Sequence, residues 1–331
     1  MKMITVVNIG IAGCGEKEYF EKFGNYCRKK GKKLNYISIT DEILKIVQKT
    51  HPEVNRYNLL NFPKTTKDAW YKAAFENILS KRLEKDSINV VNIHVTYWWK
   101  DGPDEVVKAN ILNEFLKALN PIFFTQIVDS AENIKRRVDP IVEHVGRRLS
   151  LEDIYRWQDM ECFVGELLAS INGKKFYIIP SRQPPDTLYR LIFTNDPKIY
   201  LSFPMFYANG KVKSVIEKFS KELNKIAIVF NPEKIEEYPH YSGRLRRISG
   251  DVTVKKDYRL IAQSDMVVAF FPKIVYSSGV VSEINFASSI GKTVYLIWPS
   301  KDYGAFTAYP VHRIFFSPKE CLEEIKKLRK K

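Results

Sequence analysis

Short runs of β-branched and aromatic residues alternate with amphipathic stretches of helical period along almost the whole chain. That alternation is the tightest constraint on the fold. Continuous apolar runs suit strands buried on both faces, and buried parallel strands need a helical crossover between them. The expected class is therefore α/β, built from parallel sheets covered by helices. In the first series the expected strands are Ile4–Ile9, Leu34–Ile39, Ile88–Val95, Ile122–Val128 and Lys175–Ile179. The helices between them are Glu16–Lys30, Lys67–Leu83, Asp104–Leu119, Ala131–Arg137 and Leu151–Ile171. The segment Pro180-Ser181-Arg182-Gln183-Pro184-Pro185 interrupts this series, and Asp186–Phe193 reads as a short closing helix.

Thr194-Asn195-Asp196-Pro197 reads as a linker, after which strand Lys198–Phe203 opens a second series. Helix Lys211–Leu223, strand Lys225–Phe230, helix Lys256–Gln263, strand Met266–Phe271, helix Val281–Ile290 and strand Thr293–Ile297 continue it. A last helix is signalled by Ser317 as N-cap, Pro318 at the first position and Glu320 completing a capping box. At 331 residues the chain is comfortable with two cores, and the expected domains are residues 1–195 and 196–331.

Composition excludes several classes. With 45% hydrophobic and 27% charged residues the chain is globular. The apolar run near the start is too short for a signal or a span, and no later window suits a bilayer, so a soluble cytoplasmic protein without membrane partners is expected. Cys14, Cys27, Cys162 and Cys321 are scattered without CxxC spacing, and the five histidines are dispersed. Free thiols and no metal site follow. The net charge of +15 comes with basic runs at Arg28–Lys33 and Lys326–Lys331. No nucleic-acid motif accompanies them, so a solvated lysine-rich surface that tolerates small anionic ligands is favoured over nucleic-acid binding.

Two constellations carry chemistry. In the second domain Ser277, Ser278 and Gly279 lie between an expected buried strand and a helix, where backbone N–H groups at the carboxyl edge of a parallel sheet suit a phosphate. Glu283 is expected in the first turn of that helix, aimed into the same crevice. Asp257, near the start of the preceding helix, is a second carboxylate. Breaking an N-glycosidic bond asks for such a pair: one carboxylate captures oxocarbenium character and a second acid protonates the leaving base. The alternative is that both acids merely stabilise helix N-termini. Asp265, just before a buried strand, reads as structural.

Residues Lys198–Pro299 resemble the nucleoside 2-deoxyribosyltransferase-like superfamily, which includes the 2'-deoxynucleoside 5'-monophosphate N-glycosidases. The resemblance is carried by Lys198-Ile199-Tyr200-Leu201-Ser202-Phe203-Pro204, by Asp257 to Asp265, and by Ser277 to Glu283 with Ala287 and Gly291-Lys292. It implies a Rossmann-like domain in which Glu283 is the nucleophile, Asp257 assists protonation of the base, Tyr200 holds the nucleophile and Ser277 contacts a 5'-phosphate. It also implies a nucleoside or nucleotide substrate, no cofactor for glycosidic cleavage, and a homo-oligomer. The phosphate-loop arginine of the monophosphate glycosidases is missing, because Phe203-Pro204-Met205-Phe206 stands in its place; Arg244, Arg246 or Arg247 could supply that charge.

In the first domain Gly10-Ile11-Ala12-Gly13-Cys14-Gly15-Glu16-Lys17 follows a strand and opens a helix. Against the pattern G-x-x-x-x-G-K-[ST], Gly10 and Gly15 fit, whereas Glu16 replaces the lysine and Lys17 the hydroxyl residue. Ile39-Thr40-Asp41, Asn92-Ile93-His94, Leu119-Asn120-Pro121 and Ser130–Arg137 with its paired Arg136-Arg137 resemble P-loop nucleoside monophosphate kinases of the archaeal adenylate type. The resemblance implies a degenerate Walker A loop in which Gly10, Gly13, Gly15 and Lys17 hold a bound nucleotide; a glycine-rich turn without a ligand is the competing reading. Near His94, the aromatics Tyr97-Trp98-Trp99 either stack on a base or pack against the neighbouring domain, the latter favoured. Three functions compete: glycosidic cleavage or exchange at Glu283, a non-catalytic nucleotide sensor, and an atypical kinase, which Glu16 disfavours.

Overall fold

The computed structural model describes residues 3–56, 58–99, 102–140, 148–208, 210–235 and 241–328. The chain is α/β, with two parallel five-stranded sheets in two compact units. One unit comprises Met1–Pro185 together with Tyr238–Val252, the other Asp186–Glu237 together with Thr253–Lys331. No helix among the described residues is long and apolar enough to cross a membrane.

The first unit runs β1 (Ile4–Ile9), α1 (Glu16–Lys29), β2 (Lys33–Ser38), α2 (Ile39–Val47), α3 (Lys64–Asn77), β3 (Ser87–Ile93), β4 (Thr96–Trp99), β5 (Gly102–Glu105), α4 (Ala109–Leu119), β6 (Phe123–Val128), α5 (Ala131–Val138), α6 (Leu151–Ile171) and β7 (Phe176–Pro180). The sheet order is β2-β3-β1-β6-β7. Every residue of β3 and β6 is buried, as interior strands of a parallel sheet require. Several polar residues of the sheet pair with one another: Asn8 donates to Asn92 at 2.6 Å and accepts from Thr125 at 3.0 Å, while Asn35 donates to Asn89 at 2.8 Å. Asn8 is the register partner of both Asn92 and Thr125, so a slipped strand would strand buried amides.

The second unit holds α7 (Asp186–Phe193), β8 (Lys198–Ser202), α8 (Gly210–Asn224), β9 (Ile228–Phe230), α9 (Gly243–Gln263), β10 (Met266–Phe270), α10 (Ser278–Ser289), β11 (Thr293–Ile297), α11 (Ala305–Ala308), β12 (Arg313–Phe315) and α12 (Pro318–Leu328). Residues 243–252 of α9 are grouped with the first unit. The sheet order is β12-β11-β10-β8-β9. From β8 the chain moves outward to β9, then returns to β10 on the other side. The carboxyl ends of β8 and β10 therefore flank a topological switch point. The last helix starts as its sequence indicates: Ser317 accepts from the Glu320 amide at 3.3 Å, although the Glu320 carboxylate reaches the amide of Phe316 at 3.2 Å, one residue earlier than a capping box would place it.

Some elements differ from expectation. Helix Asp104–Leu119 starts only at Ala109, because residues 102–105 pair with β4 as an antiparallel hairpin whose Tyr97 and Trp98 are buried. Helix α2, not expected, is nucleated by Ser38, whose hydroxyl caps the Asp41 amide at 3.3 Å. The helix expected at Lys256–Gln263 already starts at Gly243, despite Gly250 and the weak helix formers around it.

Gly165 on α6 shows why close packing outweighs propensity. A Cβ there would lie 2.7 Å from the Phe176 ring and 3.3 Å from Ile9. Alanine normally gains about 1 kcal/mol over glycine inside a helix. We expect Gly165→Ala instead to lower the unfolding free energy by about 1–2 kcal/mol in urea titration, because the overpacking cost prevails.

Candidate active site

Glu283 lies on α10, buried, and its carboxylate is held by two hydroxyls. Tyr200 donates from its phenol to Oε1 at 3.0 Å, and the Ser202 hydroxyl donates to Oε2. Both donors are fully buried and sit on β8. They stand two residues apart, so the strand period points both to one face. Ser202 was not singled out in the sequence; the signal that would have found it is this i, i+2 relation to Tyr200. A buried carboxylate costs several kcal/mol unless hydrogen bonds replace its water, and here two hydroxyls do so.

Glu283 is not in the first turn of its helix, as the sequence suggested. Helix α10 starts at Ser278, with Ser277 as N-cap accepting from the Val280 amide at 3.4 Å, so Glu283 falls in the second turn. Helix-dipole stabilisation of an acid fades beyond the first turn. That weakens the reading of Glu283 as a mere helix-terminal acid and leaves its hydroxyl partners as the reason for its position. Ser278 and Gly279 are the first two residues of α10, at the carboxyl side of β10. The Ser277 oxygen serves the cap, and its proton stays available for donation.

Asp257 is also buried, on α9. Its neighbour Tyr258 shares a hydrogen bond with Ser282 at 2.7 Å and stacks on Phe286, ring centroids 3.9 Å apart at 5°. These contacts bind α9 to α10 and place Asp257 and Glu283 each one residue from the same cross-helix hydroxyl pair. Asp265 has the structural role read from sequence: its carboxylate accepts from the Lys198 amide at 2.8 Å and pairs with the Lys198 ammonium at 2.9 Å. Of the candidate phosphate cations, Arg244 pairs with Glu152 at 2.7 Å.

In the first unit the loop between β1 and α1 turns through Gly13 and Gly15, whose φ of 79° and 87° require glycine. The carbonyl of Gly10 accepts from His94 Nδ1. Ala12, Gly13, Glu16 and Lys17 face a cavity of about 1020 Å³, whereas Gly10 and Gly15 do not line it. Cys14 donates its thiol to Glu16 at 3.1 Å, and burial, with the Glu16 charge beside it, holds that thiol well above its ordinary pKa. Arg137, one of the paired arginines, donates to the Gly13 carbonyl at 2.9 Å and pairs with Asp129 at 2.8 Å. It braces the loop with its own acidic partner. Tyr97 and Trp98 line this unit's own cavity, and the Trp99 side chain lies outside the described residues. All four cysteines are buried and free, and among the described residues no group of three or more His, Cys, Asp or Glu is placed to hold a metal.

No protein-family model matches the chain, and no curated protein does. Solved structures similar to part of it include a 2-deoxyribosyltransferase from Bacillus psychrosaccharolyticus, with 21% identity over 38% of this chain and 90% of that one, TM-score 0.33. The CMP N-glycosidase BcmB of Clostridium botulinum has 21% identity over 39% and 98%, TM-score 0.26. A conserved protein from Enterococcus faecalis has 21% identity over 40% and 98%, TM-score 0.32. None of these matches supports the kinase resemblance of the first domain. At this level of likeness, chemistry rests on the geometry around Glu283.

The two hydroxyls should be coupled energetically to the carboxylate they serve. Tyr200→Phe is expected to cost about 1–2 kcal/mol in the wild-type background. In Glu283→Leu the same change should cost less than half as much, giving a double-mutant coupling near 1 kcal/mol by urea denaturation.

Proposed function

We propose that the second unit cleaves or exchanges the N-glycosidic bond of a nucleoside, a deoxynucleoside or its 5'-monophosphate, with Glu283 as nucleophile. The observation that carries this reading is the buried Glu283 carboxylate, held by Tyr200 and Ser202 beside the switch point of a parallel sheet. Open α/β sheets bind ligands at that position.

The reaction needs only groups of this chain. A lone pair of the Glu283 carboxylate forms a bond to the anomeric carbon as the C–N bond breaks and its electron pair leaves with the base. Asp257 donates the proton that the departing base nitrogen takes up. Tyr200 and Ser202 fix both carboxylate oxygens, so the nucleophile enters already oriented and little reorganisation is needed in the transition state. The resulting glycosyl ester is resolved by water, which gives hydrolysis, or by a second base, which gives transfer. Asp257 then takes back the proton from either acceptor. Ser277, Ser278 and Gly279 at the start of α10 supply hydroxyl and amide donors for a 5'-phosphate.

The test is release of free base from a panel of ribo- and deoxyribonucleosides and their 5'-monophosphates, followed by chromatography. Release that vanishes in Glu283→Ala is the expected result; no release from any substrate at high enzyme concentration rejects the proposal. Asp257→Asn should slow release by about 10²-fold through loss of acid assistance. That deficit should shrink for substrates whose base leaves without protonation.

A further inference from the structure

The carboxyl edge of the second unit's sheet carries a repeated pair of residue types. Strands β12, β11, β10 and β8 are consecutive parallel neighbours, so the loops that follow them lie along one edge. Each of those loops holds an exposed aromatic ring: Phe316 after β12 (45% exposed), Tyr303 after β11 (39%), Tyr276 after β10 (80%) and Phe206 after β8 (77%). Each also brings an exposed lysine, in the loop itself or at the second residue of the helix it opens. In the same order these are Lys319, Lys301, Lys273 and Lys211. One exposed ring needs no explanation, but four along one edge of neighbouring strands mark a binding surface.

The lysines are uncompensated. No carboxylate among the described residues pairs with any of the four, whereas Lys198 and Lys213 of the same unit are held by Asp265 and Glu233. The acids in these loops and helix starts are Asp302 and Glu320, and the Glu320 carboxylate already accepts from the Phe316 amide at 3.2 Å. The whole chain carries a net charge of +15. Such an edge attracts a polyanion that also offers flat faces.

Single-stranded nucleic acid fits both features, because its bases stack on the rings while the lysines meet the phosphates between them. Neighbouring strands stand about 4.8 Å apart, so the four strand ends extend over about 14 Å. A free nucleoside has one base to stack and would leave the outer rings unused. A duplex hides its base faces inside the stack. Glu283 lies within this row, since α10 follows the Tyr276 loop and the hydroxyls on the Glu283 carboxylate come from β8. Deoxyribose suits that carboxylate better than ribose, because no 2'-hydroxyl withdraws electrons from the developing oxocarbenium carbon.

We propose that this edge binds single-stranded DNA and that the base presented to Glu283 belongs to such a strand. The delivery of a base rests on the role proposed for Glu283; the binding of the strand does not. The full chain carrying Glu283→Gln, which suppresses turnover, is titrated by fluorescence anisotropy with a labelled DNA strand of about 12 nucleotides and with its duplex. The expected result is binding at least tenfold tighter for the strand. Its log affinity should fall with log salt at a slope of about −3, as four lysines at about 0.7 each require. Lys273→Gln/Lys301→Gln should flatten that slope by about 1.4, and Tyr276→Ala should weaken binding about tenfold. Lys29→Gln/Lys49→Gln, at exposed lysines of the first unit, should change neither. With the wild-type chain, free base is measured from the same DNA strand, the matching RNA strand, and the constituent deoxynucleosides and their 5'-monophosphates. Abasic sites left in the strand are read by alkaline cleavage. Release is expected at least tenfold faster from the DNA strand at equal nucleotide concentration. No strand binding at micromolar concentration overturns the proposal, as does a duplex bound equally well. An unchanged affinity in Tyr276→Ala, or a slope flattened as much by the first-unit pair, also overturns it. Faster release from free nucleosides, from their monophosphates or from RNA overturns it while upholding Glu283. Strand binding with no base released from any substrate rejects Glu283 and the delivered base together.

Discussion

A carboxylate taken out of water needs donors fixed in advance, and the second unit is organised around meeting that need for Glu283. Its partners Tyr200 and Ser202 come from β8, while Glu283 comes from α10, 81 residues beyond Ser202 in the chain. They meet only because β8 and β10 are sheet neighbours while β9 is sent to the far side. That strand order brings the Glu283 carboxylate and its two hydroxyl donors together from distant segments. Apolar side chains such as Ile199, Leu201, Val268 and Phe270 fill the core cluster beside β8 and β10 and keep those strands in place.

The first unit solves a related problem differently. Its central strands carry buried asparagines and a threonine, paired across register rather than solvated. Another buried acid, Glu161 on α6, accepts from the amides of Val95 at 2.9 Å and Thr96 at 2.7 Å. Burial pushes that carboxyl upward, against the pull of His94 and these donors. The turn between β3 and β4 is pinned by this acid, and that turn sets the positions of Tyr97 and Trp98 in the cavity wall. Fold and cavity wall are therefore coupled through polar groups that a purely apolar core would not contain.

Much of the architecture was legible along the chain. Strands such as Ile4–Ile9 and helices such as Leu151–Ile171 announce themselves through short apolar, β-branched runs, helical period and capping residues, all local signals. The hairpin of β4 and β5 was not legible, because Gly102–Glu105 is a strand by virtue of its partner rather than its composition. The start of α9 was hidden by glycines, which usually break helices.

For the site, sequence alone determined the residue types and their local frame: an acid and a small-residue turn after a buried strand, a tyrosine on the strand that opens the series, and a glutamate where a phosphate-binding loop would want lysine. Those follow from spacing within single elements. Only the tertiary structure decided that Ser202 joins Tyr200 on Glu283, that Glu283 stands in the second turn of its helix, and that Arg137 is tied to Asp129. Each depends on contacts between segments far apart in sequence, where the energy of burying and pairing polar groups, rather than any local preference, selects the arrangement.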